Sequence, residues 1–188
     1  MHKTTTVLLA AACLAVGAGA GAQSVCFAYQ DLETEFWVAG HRAMTESLRE
    51  AGVEEIERNA NEDANRQLEQ VRDCIAQGVD GIIIIPQDGA SAITIIGEAN
   101  QAEVPIAVFN RPPNPDNPHD AIVVVADNVS IAEQTVEHLA GEVRDLNLGR
   151  KAQPLIMVGA LADTNAIGRR EGFFNVVNRY PELFETPI

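Results

Sequence analysis

Positive charge is scarce in this chain. Its 188 residues hold 13 Lys and Arg against 27 Asp and Glu, a formal net charge of −14. Nucleic-acid phosphates call for a basic footprint, so no nucleic-acid partner is expected. An anionic membrane surface is disfavoured for the same reason. Long apolar runs are lacking too. The stretch from Val7 to Val16 is the most extended one at the amino end, and a span needs ~20 apolar residues. Catalytic signatures are also missing: there is no G-x-S-x-G, no P-loop and no C-x-x-C. The four histidines, His2, His41, His119 and His138, are scattered. His138 and Glu142 lie four apart on an expected helix, but two ligands do not make a metal site, and an exposed ion pair accounts for them. No enzyme, cofactor or metal is therefore expected.

What is present begins with a leader pattern. Residues 1–22 combine Lys3, a short apolar core and Ala20-Gly21-Ala22, which reads as a cleavable signal peptide with Gln23 as the first mature residue. Cys13 follows three alanines, a poor lipoprotein site, so a soluble exported protein is expected. "GAGAGA" imitates a nucleotide loop but follows no strand. Export leaves Cys26 and Cys74 in an oxidising compartment.

Beyond Gln23, short aliphatic runs alternate with helical periods. Strands are expected at 25–29, 53–58, 81–85, 106–110 and 122–126. Helices are expected at 35–51, 62–77 and 90–102, the second with Ala64, Leu68, Val71 and Ile75 at helical spacing. This alternation predicts an α/β fold, a doubly wound parallel sheet with helices on both faces. "GVDGIIIIPQDG" at 78–89 fits it, because a central parallel strand is buried on both sides. The four isoleucines are core. Ligands of such sheets bind beyond the carboxyl ends of the strands. Gln30-Asp31, Asn59, Gln87-Asp88 and Asn110-Arg111 all fall there, although polar residues also suit ordinary loops.

Further on, Ser130 and Glu133 have capping-box spacing for a helix running to about 146. Its expected inward face is Ala132, Val136, Leu139 and Val143. Asn128-Val129-Ser130 matches a glycosylation sequon, but a helix start explains it better. A sixth strand is expected at 155–159, a fifth helix at 166–178, and "ELFETPI" looks like the opening of another strand. Two strands and two helices do not close a core. The chain is therefore expected to be a fragment: an amino-terminal lobe at 23–127 and the beginning of a second at 128–188.

"TEFW" places Phe36 and Trp37 together at the first turn of the first helix. Helical neighbours point about 100° apart, so burying both in one core is difficult. An aromatic ring at the rim can pack on the C–H face of a sugar while polar neighbours take the hydroxyls. "FNRPP" supplies Asn110, both donor and acceptor, and Arg111, a planar donor fork. A surface ion pair is the plain alternative for Arg111.

Five segments then carry a resemblance when taken in order: "TEFWVAGHRAMTESLREAGV", "NEDANRQLEQVRDCIAQGVDGIIIIPQD", "VPIAVFNR", "VVADN" and "DTNAIGRREGF". The chain resembles the sugar-binding proteins of ABC transporters, in the ribose-binding-like group of type I periplasmic binding proteins. The resemblance implies a two-lobed clamshell joined by three crossings, the first near Asp127-Asn128. Ligand would sit in the cleft, hinge closure would follow, and a membrane permease would read the closed form, the complete protein being a monomer. It implies Thr34, Phe36, Trp37, Asn110 and Arg111 as sugar-facing residues of the first lobe, and Asn165 and Arg169 of the second, with bracing of its loop as the alternative for Arg169. A sensor lobe of a receptor shares the expected fold, and a Rossmann-like enzyme is a more distant rival that lacks its glycine loop here.

Three departures from the ribose-binding pattern stand out: Asn110 where Asp is usual, Ile85 where a polar residue is usual, and Ile167 where Arg is usual. They imply a different sugar or a small polyol. Micromolar affinity for a ten-heavy-atom sugar requires about −8 kcal/mol, or ~0.8 kcal/mol per atom. One lobe cannot match so many hydroxyls, so the 188 residues alone are expected to bind weakly. The implied sheet order also brings the end of the second helix to the start of the first strand. That makes a Cys26–Cys74 disulfide possible, two small buried thiols being the alternative.

Overall fold

In the computed structural model the description covers residues 22–188. The signal-peptide expectation and Cys13 fall outside the described residues, apart from Ala22. Ten elements follow in chain order: β1 Ser24–Tyr29, α1 Glu35–Glu50, β2 Glu54–Asn59, α2 Ala64–Gln77, β3 Gly81–Ile85, α3 Gly89–Gln101, β4 Ile106–Phe109, β5 Ile122–Val124, α4 Asn128–Leu146 and α5 Thr164–Val177. The five strands are all parallel, in the order β2-β1-β3-β4-β5. The chain moves outward from β1 to β2, returns to β3 and continues the other way. The order therefore reverses beside β1, and a crevice opens at the carboxyl ends of the strands.

Strand side chains alternate between two cores. Cys26, Ala28, Ile82, Ile84 and Val108 face Val71 and Cys74 of α2 and Ile95, Ile96 and Ala99 of α3. Phe27, Tyr29 and Ile85 face the other way, against Trp37 and Met44 of α1. Consecutive isoleucines thus serve both layers, which is why β3 has no polar position. Cys26 and Cys74 are joined by a disulfide, with Cα atoms 6.0 Å apart. It ties the start of β1 to the last turns of α2 inside the first core.

Several boundaries and faces differ from expectation. The second helix starts at Ala64 rather than 62, because the Asp63 side chain accepts from the N–H groups of Asn65 and Arg66 and so caps it. For α4 the cap is Asp127, whose carboxylate accepts from Ser130 N; the expected Ser130–Glu133 box does not form. That extends the helix backward and makes Asn128 its first residue. Leu139 is 45% exposed rather than inward. The buried apolar positions of α4 are Val136, as expected, and Ala140, packed on Phe173, Val176 and Val177 of α5, with Val143 partly buried beside them. The helices approach closely at Gly172, where a Cβ would strike the Val129 carbonyl and lie 2.8 Å from the Ala132 methyl.

The expected sixth strand at 155–159 is not a strand. Its neighbourhood holds a single parallel bridge, Ala152 to Phe184, with Ala152 N donating to Leu183 O and Glu185 N to Ala152 O, both at 2.8 Å. The segment that ends the sequence is its pairing partner, but a two-stranded ribbon without a third neighbour is marginal.

Candidate functional site

The crevice is built by strand ends and helix starts. β4 ends at Phe109, and Asn110 turns the backbone into the left-handed region at φ 66°. Asparagine tolerates that conformation better than most residues. The turn presents Arg111, half-buried, to the crevice. Its Nη1 donates to the Gln87 carbonyl at 2.8 Å, just past β3. Gln87 is itself fixed by Gln67 of α2, fully buried, which donates to Ile85 O at 2.9 Å and accepts from Gln87 N at 3.1 Å. Two strand ends are thus locked to one helix, and Arg111 is locked to them.

Across the crevice stands the first turn of α5. Asp163 caps it, its Oδ1 accepting from Asn165 N at 2.9 Å. Its Oδ2 lies 3.4 Å from Arg111 Nε, an ion pair without hydrogen-bond alignment. Asn165 is buried and saturated. Its amide donates to both the carbonyl and the side-chain oxygen of Asn110, each at 3.0 Å, and its oxygen accepts from Asn128 at 2.8 Å. Thr164 donates to Pro112 O at 3.2 Å. The loop after β4 and the start of α5 are therefore connected by direct polar contacts.

Aromatic rings form the third wall. Trp37 is 8% exposed and Phe36 57% exposed. The rings meet edge to face at 4.8 Å, and the Arg111 guanidinium lies 5.5 Å from the Trp37 ring centre. The two neighbours diverge as helix geometry requires: one is core, and the other stays at the rim.

Phe36, Trp37, Asn110, Arg111, Asp163, Asn165 and Arg169 line one cavity of about 280 Å³. It brings together six of the seven residues expected from the sequence. Thr34 is not among its walls; it is the exposed residue preceding α1, and its side chain makes no cap bond. Asp163 is the wall that sequence reading missed. Its signal was present in "DTNA", an Asp directly before a helix, but capping alone explained that pattern. A second hollow of about 380 Å³ lies between α4, α5 and residues 156–160, with Val136, Ile156, Met157 and Phe173 among its walls. Thr135, Asp163, Arg169 and Arg170 line it as well, and Asp163 and Arg169 are walls that it shares with the first cavity.

One cluster outside the crevice bears on metal binding. His41 of α1 and Glu55 and Glu57 of β2 hold potential ligand atoms within 4.8 Å of one another. Hydrogen bonds already engage them: His41 Nε2 lies 2.8 Å from Glu57 Oε2, Tyr29 donates to Glu57 at 3.1 Å, and Thr45 donates to Glu55 at 3.0 Å. Burial, and then the Glu57 charge and hydrogen bond, push the Tyr29 phenol up to about 12. Burial also raises the Glu55 carboxyl. The cluster fastens α1 to the edge of the sheet. His138 and Glu142 are exposed and 3.9 Å apart, an ion pair at most.

A family model described as "Periplasmic binding protein domain" matches residues 25–186. The chain belongs to the periplasmic binding protein family. Among curated members of known name, it is 26% identical over 148 residues to the ribose import binding protein of Bacillus subtilis, covering 79% of this chain and 46% of that one. It is 27% identical over 150 residues to the xylitol-binding protein of Mycolicibacterium smegmatis, covering 80% of this chain and 41% of that one. A solved structure described as the fructose binding periplasmic domain of a hybrid two component system superposes with a TM-score of 0.74 at 22% identity, covering 88% of this chain and 53% of that one. That likeness shows the type I fold. This periplasmic binding protein chain spans about half the length of the curated relatives it matches. Among the described residues, no helix is long and apolar enough to cross a membrane.

Proposed function

We propose that the chain is the amino-terminal part of an extracytoplasmic solute-binding protein, which captures a sugar or small polyol between two lobes and delivers it to an ABC transporter permease. The observation that carries this reading is the shared cavity: Trp37 and Arg111 from one side and Asp163, Asn165 and Arg169 from the other line it together. An apolar ring edge with convergent donors and acceptors suits a ligand that is polar all around and apolar on its C–H faces. The names of the relatives, a ribose import protein and a xylitol-binding protein, support the ligand class. In this reading residues 23–127 form the first lobe, 128–188 begin the second, and a leader at 1–22 directs export to the periplasm. The complete protein acts as a monomer there.

The ligand is a pentitol, tetritol or non-ribose sugar. Ile85, at the end of β3, is fully buried and offers no hydrogen bond, and Asn110 brings no charged acceptor. Calorimetry on the full-length protein with D-ribose, other sugars, pentitols and tetritols tests this. A polyol or non-ribose sugar is expected to bind tightest. Tightest binding of D-ribose overturns the ligand choice, and no binding by any member overturns the whole reading.

A sensory role is the second reading, favoured by the likeness to the periplasmic domain of a two-component system. Deleting the gene separates the two. Loss of uptake of labelled ligand supports transport. Intact uptake with a lost transcriptional response to the same ligand supports sensing.

A further inference from the structure

We propose that Asp163 makes the cleft selective for neutral polyhydroxylated ligands over their carboxylate-bearing counterparts, the sugar acids. The inference rests on the reading of the cavity as a sugar or polyol site and names the residue that sets its charge preference.

Arg111 would by itself favour acids. A guanidinium presents a rigid fork that fits a carboxylate at two points, and in a half-buried site such a pair is strong. Its Nη1 is committed to the Gln87 carbonyl. Its Nε is buried and has no hydrogen-bond partner, and the nearest charge to it is Asp163 Oδ2 at 3.4 Å. The side chains of Arg111 and Asp163 are each 18% exposed. A ligand carboxylate that reached Arg111 would meet a fixed negative charge in a poorly screened position, and like charges there repel strongly. A hydroxyl meets no such opposition, since it can donate to Asp163 and accept from Arg111 at once.

Asp163 cannot swing away. Its Oδ1 is held by Asn165 N at the start of α5, and the helix end itself favours a negative charge there. The cap fixes the carboxylate, and the carboxylate fixes the charge of the wall. With Asp163 present, the ionised walls are Arg111, Arg169 and Asp163. Without its charge they are the two arginines alone.

The substitution Asp163→Asn separates the two roles, because asparagine caps helices about as well as aspartate. It keeps an oxygen for Asn165 N and removes the charge, and with it the ion pair to Arg111. The experiment measures Kd by calorimetry for matched pairs, erythritol with erythronate, xylitol with xylonate and galactitol with galactonate, on the full-length protein and on Asp163→Asn. The wild type is expected to prefer the neutral member by tenfold or more. In the variant that preference is expected to shrink at least tenfold, mainly through tighter acid binding, whatever melting temperature is lost with the Arg111 ion pair. Asp163→Ser, another cap-former, is expected to move the ratio the same way, whereas a purely structural role would leave the ratio alone. Equal wild-type affinity for both members overturns the proposal, as does an unchanged ratio in both variants. If the wild type binds no neutral member of this set or of the sugar panel, the sugar-site reading falls, and the proposal with it.

Discussion

The sheet region up to Val124 and the helical pair beyond it are built differently. In the first, the apolar residues of β1 and β3 are covered, because these strands lie between α1 on one side and α2 and α3 on the other, whereas β5 at the sheet edge stays exposed. In the second, α4 and α5 bury one seam against each other, while Leu155, Met157 and Leu161 stand exposed, Met157 at 90%. The contrast teaches what each kind of element needs. A helix satisfies its backbone within itself and needs only one seam to pack. A strand leaves its backbone groups to be paired by a neighbour, and the stretch at 155–159 has only the short bridge at Ala152 nearby, so it has strand composition without strand structure.

The comparison can be broken most sharply at the disulfide. It closes a separation of 48 residues, for which chain entropy gives about 4 kcal/mol. Replacing Cys26 and Cys74 by alanine should lower the stability of the sheet region by that order in denaturant unfolding. The α4–α5 pair should be affected less, as resolved by hydrogen exchange. Equal loss in both regions would show that they unfold as one unit.

A smaller effect is expected in the helical pair. Gly172→Ala places a methyl against the Val129 carbonyl and the Ala132 side chain. The overlap should cost about 1–3 kcal/mol, seen as faster exchange in α4 and α5 with β1 and β3 still protected. Protection unchanged in α4 would mean that the helices do not pack as closely as Gly172 implies.

The smallest effect is pH-dependent and belongs to the sheet edge. Burial and the Glu57 carboxylate raise the folded Tyr29 phenol from 10.0 to about 12. A raised pKa means that the folded state holds its proton more tightly than the unfolded state. The stabilising term is therefore complete below pH 10 and is lost as pH rises through about 12. Ultraviolet titration should show both phenols late, Tyr180 raised by its hydrogen bond to Glu137 and Tyr29 pushed up to about 12, with the Tyr29 phase identified by its loss in Tyr29→Phe. Tyr29→Phe should cost about 1 kcal/mol at neutral pH and remove that part of the alkaline loss. An early, ordinary titration of Tyr29 would indicate that the His41–Glu57 cluster is open.

Much of the sheet was legible because its signals are local. Four isoleucines before Pro86, and helical periods ending at Gly52 and Gly78, specify strand and helix without reference to distant residues. Helix caps were less legible. Ser130 with Glu133 and Asp127 compete for the same helix start, and the choice depends on where Asn128 is held, which is by Asn165 of a different helix. The cavity residues Trp37, Asn110, Arg111 and Asn165 could be named one by one from strand ends and from a family resemblance. Asp163 could not, because its local signature is that of any capping aspartate.

Composition and periodicity alone determined that this chain builds a parallel α/β sheet with an uncharged core and a polar rim, since burial on two faces and helical spacing are written residue by residue. Tertiary structure alone decided that Asn165 would interlock with Asn110, 55 positions away, and that Asp163 would stand opposite Arg111. Those contacts depend on how two stretches far apart in the sequence meet. No local propensity encodes the distance between groups so far apart in the sequence.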